Sequence, residues 1–179
     1  LDDPAIRQGL LARCRAATNM TDRVAALAAL VDAPSPERDA ALAEFHADYA
    51  DEPLALLKWL ALQAGCDAPG NVAAARALAD HPAFSPTNPN CCYSLYLAFQ
   101  RSAVNFHAAD GSGYAFAADA VLAVDRVNKQ VAARIAGGFT SWRRYDPARR
   151  ALMQAQLRRI LEAGPSENVF EIVSKSVEK

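Results

Sequence analysis

Apolar positions recur at helical intervals along this chain. Val24, Leu27, Ala28 and Val31 fall at i, i+3, i+4 and i+7 and share one stripe of a helix. Tyr114, Ala117, Ala118, Val121 and Leu122 repeat the pattern. Met153, Leu157, Ile160 and Leu161 do so again, with Arg149, Gln154, Gln156, Arg158 and Arg159 largely off that stripe. From Leu54 to Leu62 the side chains are apolar nearly all round apart from Lys58, which predicts a central, buried helix. No segment alternates apolar and polar residues strictly enough to predict a strand.

The breaks are equally legible. Asp3-Pro4, Ser35-Pro36, Glu52-Pro53 and Asp146-Pro147 each set a capping residue before a proline at the first helical position, where the missing N–H costs nothing. Gly65, Gly70, Gly111, Gly113 and Gly164 mark stops or turns. Helices are predicted over roughly 4–16, 21–31, 36–50, 53–64, 70–80, 89–105, 113–127, 129–142, 147–163 and 167–178. Their connections are short, so successive helices should pack as antiparallel hairpins. The expected fold class is all-α, a superhelix or solenoid of about ten helices forming one domain over 1–179. No strict repeat identifies a tetratricopeptide or ankyrin array. The longest stretches outside helices run from His81 to Asn88 and from Phe106 to Gly113, and such loops carry function more often than core helices do.

Composition narrows the function classes. Hydrophobic residues make up 52% of the 179, enough for a packed core. A net charge of −1, from 19 basic and 20 acidic residues, argues against nucleic-acid or anionic-membrane partners. No apolar run reaches transmembrane length, and no signal peptide opens the chain. Arg143-Arg144, Arg149-Arg150 and Arg158-Arg159 read as a solvated helix face. Cys14, Cys66, Cys91 and Cys92 lack zinc-site spacing, and a bridge between the adjacent pair would be a strained ring. Four reduced, partly buried thiols are expected, and with them a cytoplasmic location. The chain opens without Met on Leu1-Asp2-Asp3-Pro4, already entering a helix, so a fragment of something longer is expected.

Candidate chemistry is sparse. None of His46, His81 and His107 has a second histidine four residues on, so no helix face presents the pair that holds zinc. Structural hydrogen bonds are their expected role. Gly111-Ser112-Gly113 follows no predicted strand and so is no nucleophile elbow. Phe116 stands where a dinucleotide fingerprint needs its third glycine. The segment reads as a turn in which Asp110 and Ser112 bond the open N–H groups of the next helix. Asn88 reads as the cap of a helix starting at Pro89; alternatively the Asn88 and Asn90 amides line a cavity and bond a peptide backbone. Arg134 lies at the edge of the stripe formed by Val131 and Ile135, where a guanidinium pairs with a carboxylate or points into a concavity. The ion pair is the expectation.

One feature is not dictated by residue-type physics. It is the order His81-Pro82-Ala83-Phe84-Ser85, then Asn88-Pro89-Asn90, then Phe106-His107-Ala108-Ala109-Asp110-Gly111-Ser112-Gly113-Tyr114. With Asn128…Gln130-Val131-Ala132-Ala133-Arg134, and weaker agreement at Arg144-Tyr145-Asp146, it resembles the C-terminal helical domain of the bacterial aminopeptidase N family. The resemblance implies a helical superhelix that packs on the catalytic domain of the same polypeptide and closes a cavity over its zinc. The His-Glu-x-x-His zinc motif of that family sits in the other domain, so this chain alone is expected to be inactive and to hold no cofactor. The parent would remove N-terminal residues from short peptides.

The resemblance also implies that Arg134, with Asn88, Asn90 and Tyr93, faces the substrate cavity, where a basic group attracts a peptide carboxylate. His107, Asp110, Gly111, Ser112 and Gly113 would form a structural loop. Family members usually carry basic residues just after Asn90, whereas this chain has Cys91-Cys92-Tyr93. Tyr93 falls where a second cavity arginine is usual; its ring stacks or hydrogen-bonds but supplies no charge. A free-standing helical-repeat interaction scaffold with a concave partner surface is the alternative reading.

Overall fold

Short polar side chains set the helix starts. Asp3 accepts the Ala5 N–H ahead of α1 (Pro4–Ala16), Asn19 that of Asp22 ahead of α2 (Met20–Val31), and Ser35 that of Arg38 ahead of α3 (Pro36–Asp48). Asp146 accepts from both Ala148 and Arg149 ahead of α11 (Pro147–Glu162). Glu52 makes no such bond before α4 (Pro53–Ala64). Its extra methylene makes it a poorer cap than aspartate, and Pro53 alone begins that helix. This computed structural model describes residues 3–178, among which no strand forms. Leu1, Asp2 and Lys179, which the expected domain includes, lie outside the described residues.

The remaining helices are α5 (Val72–Ala79), α6 (Pro89–Cys92), α7 (Ala98–Arg101), α8 (Ala103–Phe106), α9 (Ser112–Asp125), α10 (Lys129–Ala136) and α12 (Glu167–Glu178). Two expected helices are corrected. The helix expected over 89–105 is widened by a π segment at Tyr93–Leu97 and broken at Ser102, whose ψ of 98° is extended. Ser102 turns there because its buried hydroxyl serves other partners, lying 2.7 Å from Asp67 Oδ1 and 3.1 Å from the Cys66 carbonyl. The helix expected over 129–142 ends at Ala136 and tightens into 3₁₀ turns at Gly137–Phe139 and Trp142–Arg144.

Packing follows chain order. Helix α1 lies on α2 and α3, α9 on α10 and α11, and α12 on α10 and α11, the neighbour-and-next-neighbour pattern of a helical solenoid. One continuous apolar core runs from Cys14 through Phe45, Phe99 and Tyr114 to Val173. Helix α4 touches α2, α3, α5, α6, α7 and the π segment, so it is central. It is not buried all round: Ala55, Trp59, Leu60 and Ala64 are buried, but Leu54 is 73% exposed. All four cysteines are buried and unbridged. Burial, with the neighbouring Cys91, pushes the Cys92 thiol up to about 11.

Candidate substrate-facing site

Two loops and one helix bring the sequence-predicted residues to the surface. Asn88 ends the first loop and caps α6, its Oδ1 accepting the Asn90 N–H at 2.9 Å. Asn88 and Asn90 are both exposed. Beside Asn88 lies a shallow apolar depression of about 200 Å³ lined by Pro53, Leu56, Leu57, Ala83, Ser85 and Cys91. One turn beyond the start of α6, the half-buried Tyr93 opens the π segment.

Arg134 reaches Tyr93 from α10. Its guanidinium carbon stands 4.8 Å from the Tyr93 ring centroid. The structure thus brings together two of the residues read as cavity-facing. It also corrects the expected ion pair: among the described residues Arg134 stacks on this ring and pairs with no carboxylate. Arg134 is exposed, so the edges of its guanidinium remain open to solvent.

The second loop is built around His107. Its Nδ1 lies 2.7 Å from the Tyr114 hydroxyl, and its ring packs 4.2 Å from that of Tyr145. Burial, then the positive Arg149, holds His107 below the usual histidine range, so the neutral ring is favoured. Burial pushes Tyr114 up to about 12, so the phenol stays neutral, and the imidazole tautomer sets which of the two groups donates. Asp110 Oδ1 accepts from the Ser112 N–H at 2.9 Å and from its hydroxyl at 2.7 Å, which lowers the carboxyl. Gly111 occupies the left-handed region at φ 75°. At Gly113 a side chain has no room: an added Cβ would sit 2.2 Å from the Asn105 carbonyl oxygen. Within the loop, then, Asp110 bonds Ser112, Gly113 seats against the end of α8, and His107 is held by Tyr114 and Tyr145.

Sequence reasoning missed a buried polar knot under this loop. Asn105 Oδ1 accepts the Asn71 N–H at 2.9 Å, while its Nδ2 donates to the Cys66 and Ala68 carbonyls at 2.9 and 3.0 Å. The spacing Ser102-x-x-Asn105, a cap three residues before an amide, was the available signal. The reading of the arginine pairs is corrected in part: Arg144, Arg150, Arg158 and Arg159 are exposed as expected, but Arg143 and Arg149 are half-buried. Arg143 donates to the Ser176 and Val177 carbonyls at 2.8 and 3.3 Å, and Arg149 to the His107 carbonyl at 2.9 Å. Arg159 pairs with Asp119 at 2.6 Å. These guanidiniums pin helix ends and loops instead of forming a uniformly solvated face.

No metal chemistry is assembled from these residues. Among the described residues no three His, Cys, Asp or Glu side chains converge. His46 and His81 approach with ring centroids 5.2 Å apart, both against Trp59. The Nδ1 of His81 already accepts the Ala83 N–H at 3.1 Å. A neutral His81 then carries its hydrogen on Nε2, so neither nitrogen offers a free lone pair to an ion.

Comparison with known proteins places the fold. The family described as "Domain of unknown function (DUF3458_C) ARM repeats" matches residues 1–178. The chain belongs to this family. Its members' ARM-repeat architecture agrees with the stacked helices described above. The aminopeptidase N of Caulobacter vibrioides is 42% identical over 171 residues, a match covering 94% of this chain and 20% of that protein. The aminopeptidase N of Escherichia coli is 37% identical over 164 residues, covering 90% and 19%. The crystal structure of Legionella pneumophila aminopeptidase A in complex with aspartic acid superposes with a TM-score of 0.92 at 30% identity, covering 96% of this chain and 20% of that one. The chain thus spans about one fifth of the length of the relatives it matches.

Proposed function

We propose that this chain is the C-terminal helical domain of a zinc-dependent aminopeptidase, closing the cavity over the active site and shaping peptide access to it. The observation that carries the reading is the asymmetry of the match: nearly all of this chain aligns to one fifth of an aminopeptidase N. In this reading the zinc and the groups that activate water belong to the catalytic domain of the same polypeptide, and the chain contributes packing and a cavity wall. Arg134, seated on Tyr93, is the group that attracts the carboxylate of a short peptide by charge-assisted hydrogen bonds. In this reading the exposed Asn88 and Asn90, at the start of α6, offer amides to a peptide backbone.

Reconstitution tests this. The chain is mixed with a matching aminopeptidase N lacking the corresponding fifth of its length, and both binding and hydrolysis of an alanyl anilide are followed. A stable complex with raised activity is the expected result. Unchanged activity and no association at high micromolar concentration would overturn the closure role.

A further inference from the structure

The rod formed by α6, the π segment and α7 crosses α10 at two points about two helical turns apart. At the first, Tyr93 lies under Arg134. At the second, Gln100 Nε2 donates to the Ile135 carbonyl at 2.9 Å. That carbonyl belongs to the last turn of α10, where it is one of three that the Gly137 N–H also reaches, so the Gln100 amide adds a second donor to it. Gly138 makes the approach possible. A Cβ added there would stand 2.7 Å from both Cδ and Oε1 of Gln100, so the side-chain amide fills the space that glycine vacates.

The residue bonded by Gln100 directly follows Arg134 in the chain. The bond therefore fixes how far α10 slides along the rod, and so where the exposed guanidinium sits over the ring. We propose that Gln100 and Gly138 form a positioning device that holds Arg134 on Tyr93 in the orientation that receives a peptide carboxylate. This deepens the function proposed above and rests on it for the ligand, though not for the geometry. A π segment suits such a role because its extra residue rotates the side chains that follow it relative to a regular helix. Tyr93 and Gln100 stand on either side of that rotation, and both meet α10.

The test combines a ligand-free readout with a binding one, on Gln100→Met, Gly138→Ala, Arg134→Ala and Gln100→Lys. In nuclear magnetic resonance spectra the Arg134 Hδ and Hε protons carry the ring-current shift of Tyr93. Gln100→Met, which keeps the length but not the donor, is expected to lose most of that shift, while the His107 and Tyr114 resonances stay in place. Gly138→Ala should do the same by displacing the amide. Gln100→Lys, which restores an N–H donor, should recover it. Titration with trialanine and trialanine amide then reads the carboxylate, with Gln100→Met and Gly138→Ala expected to weaken the acid by about three- to tenfold and leave the amide unaffected.

An Arg134 ring-current shift unmoved by Gln100→Met and Gly138→Ala overturns the positioning role. So does trialanine binding that Arg134→Ala weakens but those two variants do not. If Arg134→Ala binds trialanine as wild type does, the assignment of the carboxylate to Arg134 fails, and the inference fails with it. That outcome is told apart from the other two by the Arg134→Ala titration itself.

Discussion

The Tyr114 hydroxyl and Nδ1 of His107 share a hydrogen bond of 2.7 Å, tying the first turn of α9 to the loop that precedes it. Tyr114 is fully buried. Tyr114→Phe removes the hydroxyl and leaves the ring in place. A loss of about 1 kcal/mol of stability is expected, read from denaturant midpoints. With the phenol as donor the bond favours neutral imidazole, and on that tautomer the His107 titration should also move up toward the ordinary value, as followed by its ring-proton shift against pH. A titration that stays where it is in wild type would mean that burial and Arg149 set it without the phenol as donor.

Acid should loosen the fold through His81. Its Nδ1 accepts the Ala83 N–H, and a proton on that nitrogen would set two donors face to face. Burial, then the neighbouring His46, lowers its folded pKa, and no carboxylate opposes them. Trp59 of α4 and His46 of α3 are the rings that face it; the nearby acids of α3 are engaged, Glu44 with Arg15 and Asp48 with Arg23. A depressed folded pKa means the unfolded chain binds more protons. The stability is complete above the unfolded value of about 6.5 and is lost as pH falls through the folded one. His107 contributes with the same sign. Unfolding free energy measured at pH 7.5 and 5.5 should fall in wild type, and fall less in His81→Gln, whose amide oxygen accepts the same bond without titrating. Equal losses in both proteins would remove His81 from the account.

Gly113 is the most constrained backbone position of the loop. A methyl group there would press on the carbonyl oxygens of Asn105 and Phe106, at 2.2 and 2.6 Å. Backbone atoms of a helix cannot swing aside as a side chain can. Gly113→Ala should cost on the order of 3 kcal/mol. Gly137→Ala, with nothing within 4 Å of its added Cβ, serves as the control and should be close to neutral. Thermal midpoints of the two variants decide it: similar shifts would show that the loop, not the glycine, yields.

Asn105 holds three chain segments at once. Replacing it by leucine deletes the bonds to Asn71, Cys66 and Ala68 and leaves a buried N–H and two carbonyls without that partner. A cost of about 3 kcal/mol or more follows, because unsatisfied buried groups lose their full solvation. Hydrogen exchange of the Asn71 amide should accelerate in step with it. A variant that exchanges that amide no faster would show that the knot is not what protects it.

What the sequence alone determined is what neighbours within a helical turn or two can decide. Caps at Asp3, Ser35, Asn88 and Asp146, prolines at first helical positions and stripes such as Tyr114–Val121 act over one to seven residues, so their physics is visible in order and spacing. The Asp110–Ser112 bond that shapes the entry to α9 is of the same kind. The all-α class followed from these. The tertiary structure decided whatever depends on residues far apart in the chain. The break at Ser102 answers to Cys66 and Asp67, the seat of Arg134 to Tyr93, and the partners of Arg143 to the end of α12. An arginine between two core positions looks the same to its own helix whether a carboxylate or an aromatic face lies opposite. Only the packing of α10 on the π-interrupted rod supplies that face, and no spacing within either segment encodes it.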